Sequence, residues 1–304
     1  MRYICAQPGE LYFCWQIDVM IHSFINVGIK QEKIDIIFSD FKKDVEYYLE
    51  LKHKYPKVNF HIYPDTRKEI KYVSSIRPHI LKKHFKKHWW KYRGTFLYHD
   101  CDIVLTKPLE LNGKISGCDP YCYLSNTKSY IGYEYILSKG EDILDLMCEI
   151  VDIDKEVLKI NQDNSGGAQY LLKDIDAEFW EKVEIDCENL YSRVFKLNNK
   201  KKKENKDYHP LQIWCADMWA VLWNLWKINK STRICKEMNF TWAGHPIKQW
   251  EANSIYHNAG VIKAENKEFQ KGLYRKQKPP KNLDINPNLA CFKYYELVKN
   301  ILNN

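Results

Sequence analysis

Gly94-Thr-Phe-Leu-Tyr-His-Asp-Cys-Asp-Ile-Val-Leu-Thr-Lys-Pro108 is the stretch from which the rest of the chain can be read. Its opening, Thr95 to Tyr98, is rich in β-formers and reads as a buried strand. The run breaks at Asp100-Cys101-Asp102 and turns apolar again from Ile103 to Leu105. Two carboxylates two residues apart at the tip of a buried strand are costly unless something neutralises them. A hard divalent cation, Mg²⁺ or Mn²⁺, does so with oxygen ligands, commonly one or two carboxylates completed by phosphate groups. A strand-end turn with two solvated acids is the plain alternative. A bare Asp-x-Asp does not choose between the two, although the flanking strand favours the cation.

Working outward, Tyr3 to Ala6 reads as a first strand, with Gln7 at its end and a turn at Pro8-Gly9. Trp15 to Val27 has apolar residues at helical spacing and stops at Gly28, a common helix terminator. Strands over Ile34–Phe38 and Val58–Tyr63 bracket a helix over Val45–Lys54. A further helix, Ser75 to Lys87, starts with a serine and carries Pro78 in its first turn. Strand–helix alternation at this spacing implies an α/β fold with βαβ crossovers and a mostly parallel sheet. Ligands of such sheets bind outside the carboxyl ends of the strands, where Asp100 and Asp102 fall.

The chain has 304 residues, a formal charge of +8 and ten cysteines, none in a C-x-x-C pair. No apolar run approaches the roughly 18 residues of a membrane span. Met1 to Pro8 turns polar too soon for a signal peptide, so the expectation is reduced thiols and a cytoplasmic setting, the host cytoplasm if the chain is phage-encoded. A zinc site around His99 and Cys101 is a weak alternative. The positive charge is clustered in Lys82–Arg93, which interleaves aromatics, and in Lys200–Lys206, which reads as a mobile loop. Basic stretches with aromatics attract polyanions and can stack on bases; solvated surface is the equally weighted alternative.

Later motifs add polar chemistry. Asn161-Gln-Asp-Asn-Ser-Gly-Gly-Ala-Gln-Tyr170 reads as a glycine-bearing loop entering a helix at Tyr170–Leu172. There Gly166 and Gly167 would let backbone approach a ligand, and Gln169 would offer hydrogen bonds to a polar ligand, unless the loop only caps a helix. Trp214-Cys-Ala-Asp-Met-Trp-Ala-Val-Leu-Trp-Asn-Leu-Trp226 is the most apolar stretch, with Trp219, Leu222, Trp223 and Trp226 on one face. Asp217 is its odd member, an acid at the start of a buried helix, either held by the helix dipole or poised for chemistry.

Taken in order, these motifs resemble the nucleotide-sugar half of a GT-A glycosyltransferase, a single large domain whose metal-binding Asp-x-Asp follows a central strand about a hundred residues in. A closer resemblance is to the hydroxyproline arabinosyltransferase and peptidyl-serine galactosyltransferase group. It rests on Tyr12-Phe-x-Trp-Gln16, Gly166-Gly-Ala-Gln-Tyr170, Trp214-x-x-Asp-Met-Trp219 and Ile255-Tyr-His-Asn-Ala-Gly260, and spans about Tyr3 to Gly260. The resemblance implies a nucleotide-sugar-binding half over 1–110 and an acceptor-binding, catalytic half over 111–270, followed by a basic tail over 271–304 with a short helix near Tyr294–Leu302. It implies Asp100, Asp102 and His257 as ligands of Mn²⁺ or Mg²⁺, the histidine favouring manganese. It assigns Asp217 and Gln169 to catalysis, and Asp100, Gly166 and Gly167 to the donor, a UDP-sugar carrying a pentose such as arabinose or a hexose; Gln7, and Arg77 at the start of the helix before the central strand, are further donor candidates, Arg77 against a plain surface-helix reading. Transfer with retention is also implied. The acceptor stays open between a hydroxymethylated base in DNA, as for some phage enzymes, and a glycan or protein. A metal-dependent nuclease or phosphodiesterase and a non-catalytic polyanion-binding module are the readings from other classes, and nothing in the sequence sets the oligomeric state.

Overall fold

The computed structural model describes residues 1–302; Asn303 and Asn304, the end of the expected 271–304 tail, lie outside the described residues. The strands are β1 (Arg2–Gln7), β2 (Ile34–Ser39), β3 (Asn59–Tyr63), β4 (Thr95–His99), β5 (Ile103–Leu105), β6 (Cys122–Asn126), β7 (Gly166–Lys173), β8 (Thr232–Ile234), β9 (Phe240–Trp242) and β10 (Ile255–His257). The helices are α1 (Leu11–Asn26), α2 (Val45–Lys54), α3 (Ile76–His88), α4 (Lys128–Ile131), α5 (Tyr133–Leu137), α6 (Glu141–Val151), α7 (Lys155–Ile160), α8 (Ala177–Glu204), α9 (Ala216–Lys227) and α10 (Ala290–Leu302). A mostly parallel seven-stranded sheet has the order β3-β2-β1-β4-β7-β6-β8, and a small sheet has the order β5-β10-β9. This is the α/β architecture expected from the strand–helix alternation. The chain forms two compact units.

The first unit comprises residues 1–62, 98–112 and 236 onward. In it β1 and β2 run parallel, from Tyr3 opposite Ile34 to Gln7 opposite Phe38. Helix α1 ends as the sequence foretells: Gly28 takes φ +92° and donates its N–H to the Ile25 carbonyl at 2.9 Å, closing the last turn. Its one buried acid, Asp18, is met by the Tyr55 and Tyr47 hydroxyls at 2.7 and 3.0 Å and by Lys54 at 2.9 Å, as a buried charge requires. In the small sheet β10 lies antiparallel to β5, Ile255 opposite Leu105 and His257 opposite Ile103, and parallel to β9.

The second unit comprises residues 63–97 and 113–235. Its sheet portion pairs β6 antiparallel to β7 and parallel to β8. Helix α8 packs against both α3 and α9. Trp219 and Trp223 are fully buried and Trp226 nearly so, with Trp219 donating to the Ile131 carbonyl and Trp226 to the Thr232 hydroxyl, both at 2.9 Å. The apolar stripe is core, as read from the sequence.

Two sequence expectations are corrected here. Tyr170–Leu172 does not begin a helix; it lies inside β7, every residue of which is buried. A short apolar run in a doubly covered strand carries no alternation to distinguish it from buried helix. Lys200–Lys206 is not a loop through most of its length, because α8 continues to Glu204. Lysine is a good helix former, and Lys201, Lys202 and Lys203 sit in the last turn, where the helix dipole favours cations.

Candidate active site

The first unit builds the centre around Asp100 and Asp102. Strand β4 ends at His99 in the large sheet and β5 begins at Ile103 in the small one, so the two acids stand in the crossover between the sheets. Pairing of His257 with Ile103 carries β10 one step past the acids, where the Asn258 N–H donates to the Asp102 carbonyl at 2.9 Å. The His257 Nε2 consequently lies 3.2 Å from Asp102 Oδ1 and 3.7 Å from Asp100 Oδ2. One ligand atom from each of the three residues falls within 4.8 Å of the others. Trp242 stacks on the imidazole at 12° and 6.0 Å, and Phe240 meets it edge-on at 5.1 Å, so its orientation is fixed by packing.

Lys271 contacts the other carboxylate oxygen of Asp102. Burial works to raise the Asp102 pKa, but the Lys271 ammonium and His257 outweigh it and hold the carboxyl below the usual range. Burial likewise works to lower the Lys271 pKa, and the attraction of Asp102 reverses it. The arrangement therefore keeps Asp102 ionised in the absence of any cation. His99 is buried and pushed down to about 4 by desolvation, so it is neutral near pH 7. Its Nδ1 lies 2.9 Å from the Asp100 carbonyl and its ring packs on Phe24, so it braces the turn. Among the described residues, neither His99 nor Cys101 joins a cluster of metal-ligating side chains.

Two carboxylates and an imidazole fit a divalent cation, with the nitrogen ligand suiting Mn²⁺ better than Mg²⁺. Asn258 adds a second feature the sequence reading did not single out. Its Oδ1 accepts from the Tyr256 hydroxyl at 2.7 Å, while its Nδ2 is buried with no hydrogen-bond partner among the described residues. Gln7, at the carboxyl end of β1, is buried with its amide 4.0 Å from the Cys5 sulfur. Lys271 had no signal in the sequence, being one lysine in a basic tail. Asn258 lies inside the His257–Gly260 motif and could have been named with it.

The second unit holds the other expected residues. Asp217, in the first turn of α9, is buried and receives the Tyr72 hydroxyl at 2.7 Å and the guanidinium of Arg77, second residue of α3. Burial, and then the Asp217 carboxylate, push the Tyr72 phenol well up, so it stays a donor. Gln169 is fully buried in β7 and accepts from the Ser125 hydroxyl at 2.8 Å. Its neighbour Ala168 has φ +66°, a strained position for a residue with a Cβ. At Gly166 a Cβ would stand against the Ser125 carbonyl and 2.7 Å from Leu124 Cβ, leaving no room for a side chain, whereas at Gly167 it would meet the end of the Met218 side chain at 2.6 Å. In the basic stretch Lys82–Arg93, Lys82 pairs with Glu184 at 2.8 Å and Arg93 lies over the Trp89 ring.

No protein-family model matches the chain, and no curated protein matches it. Among solved structures, the apo form of the bifunctional glycosyltransferase WbbM is similar at 10% identity with a TM-score of 0.51, over 86% of this chain and 46% of that one. The chain thus spans a little under half the length of that protein. The galactosyltransferase LgtC, in complex with donor and acceptor sugar analogues, aligns at 12% identity and TM-score 0.49 over 100% of this chain and 97% of that one. Mouse xyloside xylosyltransferase 1 aligns at 10% identity and TM-score 0.42, over 85% and 98%. The fold of the chain is that of the GT-A glycosyltransferases.

Proposed function

We propose that this chain is a metal-dependent glycosyltransferase that moves a sugar from a UDP-sugar to a hydroxyl acceptor. The observation that carries the reading is the convergence of Asp100, Asp102 and His257 on one point of a glycosyltransferase-like fold. In it, Asp100, Asp102 and His257 hold Mn²⁺ or Mg²⁺. When bound, the cation supplies Lewis-acid neutralisation of the charge that develops on the departing diphosphate. Lys271 brings a further positive charge to Asp102, and the Asn258 amide offers a donor that no group among the described residues uses. Both suit a phosphate-bearing ligand. Gln7 lies at a strand end, where α/β sheets bind ligands.

In the second unit Asp217, held by Arg77 and Tyr72, is assigned to steady the acceptor hydroxyl or positive charge on the sugar. Arg77, at the start of α3, stays a candidate for the diphosphate. Gly166 and Gly167 stay candidates for the donor, beside Gln169, which is assigned to the sugar. Retention at the anomeric carbon, and a pentose or hexose donor, follow from the likeness of the motifs to the arabinosyl and galactosyl enzymes. For the acceptor, a hydroxymethylated DNA base is argued by the positive charge of the chain; a glycan or protein is the alternative.

The test is release of UDP from a panel of UDP-sugars with Mn²⁺, with and without EDTA and hydroxymethylated DNA. Metal-dependent release from one donor is the expected result, and a rise with modified DNA names the acceptor. Silence across the panel from folded protein overturns the reading, and Mg²⁺-dependent cleavage of the DNA would replace it with a nuclease.

A further inference from the structure

We infer that the exposed face of α8 in the second unit is a docking groove for a single strand of nucleic acid. A groove of about 600 Å³ is lined by Lys71, Tyr191, Phe195, Lys196, Lys200 and Lys203. Residues 196, 200 and 203 recur at helical spacing on one face of α8, over roughly 10 Å of axis. Like charges at that spacing destabilise a helix, and the nearest acid, Glu204, is 3.9 Å from Lys200. Among the described residues Lys71, Lys196 and Lys203 make no ion pair. The neighbouring lysines of the run are spent differently: Lys201 binds Asp142 at 2.6 Å, and Lys202 binds the Tyr208 carbonyl at 3.0 Å. The periodicity of the helix thus separates lysines that tie the chain to itself from lysines that line the groove.

The same groove carries a ladder of rings. Tyr72 stacks on Tyr191 at 4.9 Å and 23°, and Tyr191 on Phe195 at 6.0 Å and 7°. Phe195 is 47% exposed, a large apolar ring left in water between lysines. Cationic side chains along a groove with a stacking platform are the chemistry of sequence-tolerant single-strand binding: the ammonium groups follow the phosphates and the ring receives a base. An acidic peptide would use the lysines but has no need of the ring. The ladder also has a direction. Its inner ring, Tyr72, is buried and donates its hydroxyl to Asp217, so the outer ring, Phe195, is the one left to receive a base.

The inference reads binding alone, so it can fail or succeed independently of sugar transfer. The experiment is fluorescence anisotropy of a labelled 20-nucleotide thymidine strand with the full chain, without metal or nucleotide sugar, across a salt series. Four phosphate contacts predict a log–log salt slope near −3, on the basis of about −0.7 per contact. Replacing Lys196, Lys200 and Lys203 together by Gln should flatten the slope by about 2 with the thermal midpoint unchanged. Phe195→Ala should keep the slope and weaken binding about tenfold, the loss of one stacked base. An RNA strand run in parallel shows which sugar the groove prefers, and tight binding of either supports the inference. Absence of binding at 50 mM salt overturns it. So does a Phe195→Ala variant that binds as wild type, because the face would then be a generic polyanion or acidic-peptide surface.

Discussion

Asp102→Asn removes one negative charge from the centre while keeping the shape of the side chain, and its consequences with and without cation can be worked separately. In metal-free protein the Lys271 ammonium loses a carboxylate partner. A hydrogen bond to a charged group contributes about 1.5–3 kcal/mol. With 304 residues at about 2.1 cal/mol/K each, the unfolding entropy is roughly 0.64 kcal/mol/K, so the midpoint should fall by about 2–5 °C. Cation binding acts on top of this. At a Mn²⁺ concentration of about 100 Kd the wild-type chain gains about 2.7 kcal/mol, or about 4 °C. Even loss of an outer-shell partner of a metal ligand weakens binding by up to about 100-fold, and Asp102 is one of only two carboxylates in the cluster. At the same Mn²⁺ concentration the variant would then sit at its own Kd and gain about 0.4 kcal/mol, less than 1 °C. Thermal unfolding of EDTA-treated protein titrated with Mn²⁺ reads both numbers, and UDP release should vanish with the second. If Mn²⁺ raises the midpoint of Asp102→Asn as much as that of the wild type, the cation binds elsewhere and the assignment of the centre is wrong.

Further perturbations test the second unit. Hydrogen bonds from Arg67, at 2.8 and 2.9 Å, hold Asp65 down to about 2. The ionised form therefore stabilises the fold fully above about pH 4, and that contribution is lost as the pH falls from 4 toward 2. Asp65→Asn should cost about 1 kcal/mol at pH 7, the upper end for a partly exposed pair, and the gap to wild type should close below pH 4 in urea unfolding; a gap that is the same at pH 3 and pH 7 would contradict the pairing. Gly166→Ala forces a Cβ against the Ser125 carbonyl; overpacking of this kind costs about 1–3 kcal/mol, readable as a lower urea midpoint at unchanged m-value. Tyr72→Phe removes a donor that reaches both Asp217 and the Trp214 carbonyl, and should cost about 1.5–3 kcal/mol. Its turnover should fall further than that of a surface control of equal stability if Asp217 serves the reaction.

The elements that the sequence made legible share a cause. Helix α1 announces its end because only Gly28 tolerates φ +92° there, and α9 announces its core face because four large apolar residues recur at one spacing. Local chemistry dictates both. Strand β7 failed to announce itself because its register is set by β6, whose bulge near Asn126 opposite Gly166 no local pattern encodes. Gly166, which looked like a ligand-approach residue, is required at least as much by strand packing, since the Ser125 carbonyl already fills the space its side chain would need. The end of α8 was hidden for the opposite reason. A lysine run is compatible with loop and helix alike, and tertiary partners such as Asp142 decide between them.

The same division explains how much of the metal centre could be read. Asp100 and Asp102 are joined by chain geometry: two acids in a three-residue crossover between two sheets are neighbours however the rest folds. His257 is joined to them by one antiparallel pairing, β10 on β5, and three-residue strands carry almost no pattern of their own. The histidine was legible only because a motif resemblance stood in for that pairing. Lys271 had no such substitute. It reaches Asp102 from a single turn of 3₁₀ helix in a basic tail, where nothing distinguishes it from Lys267 or Lys276. Yet the physical need for it follows from the part that was legible. Two carboxylates gathered with an imidazole in a mostly buried corner must be balanced by positive charge before any cation arrives. A search of the tail for a lysine able to reach Asp102 is thus a step the sequence motivates, even though only the fold names the residue.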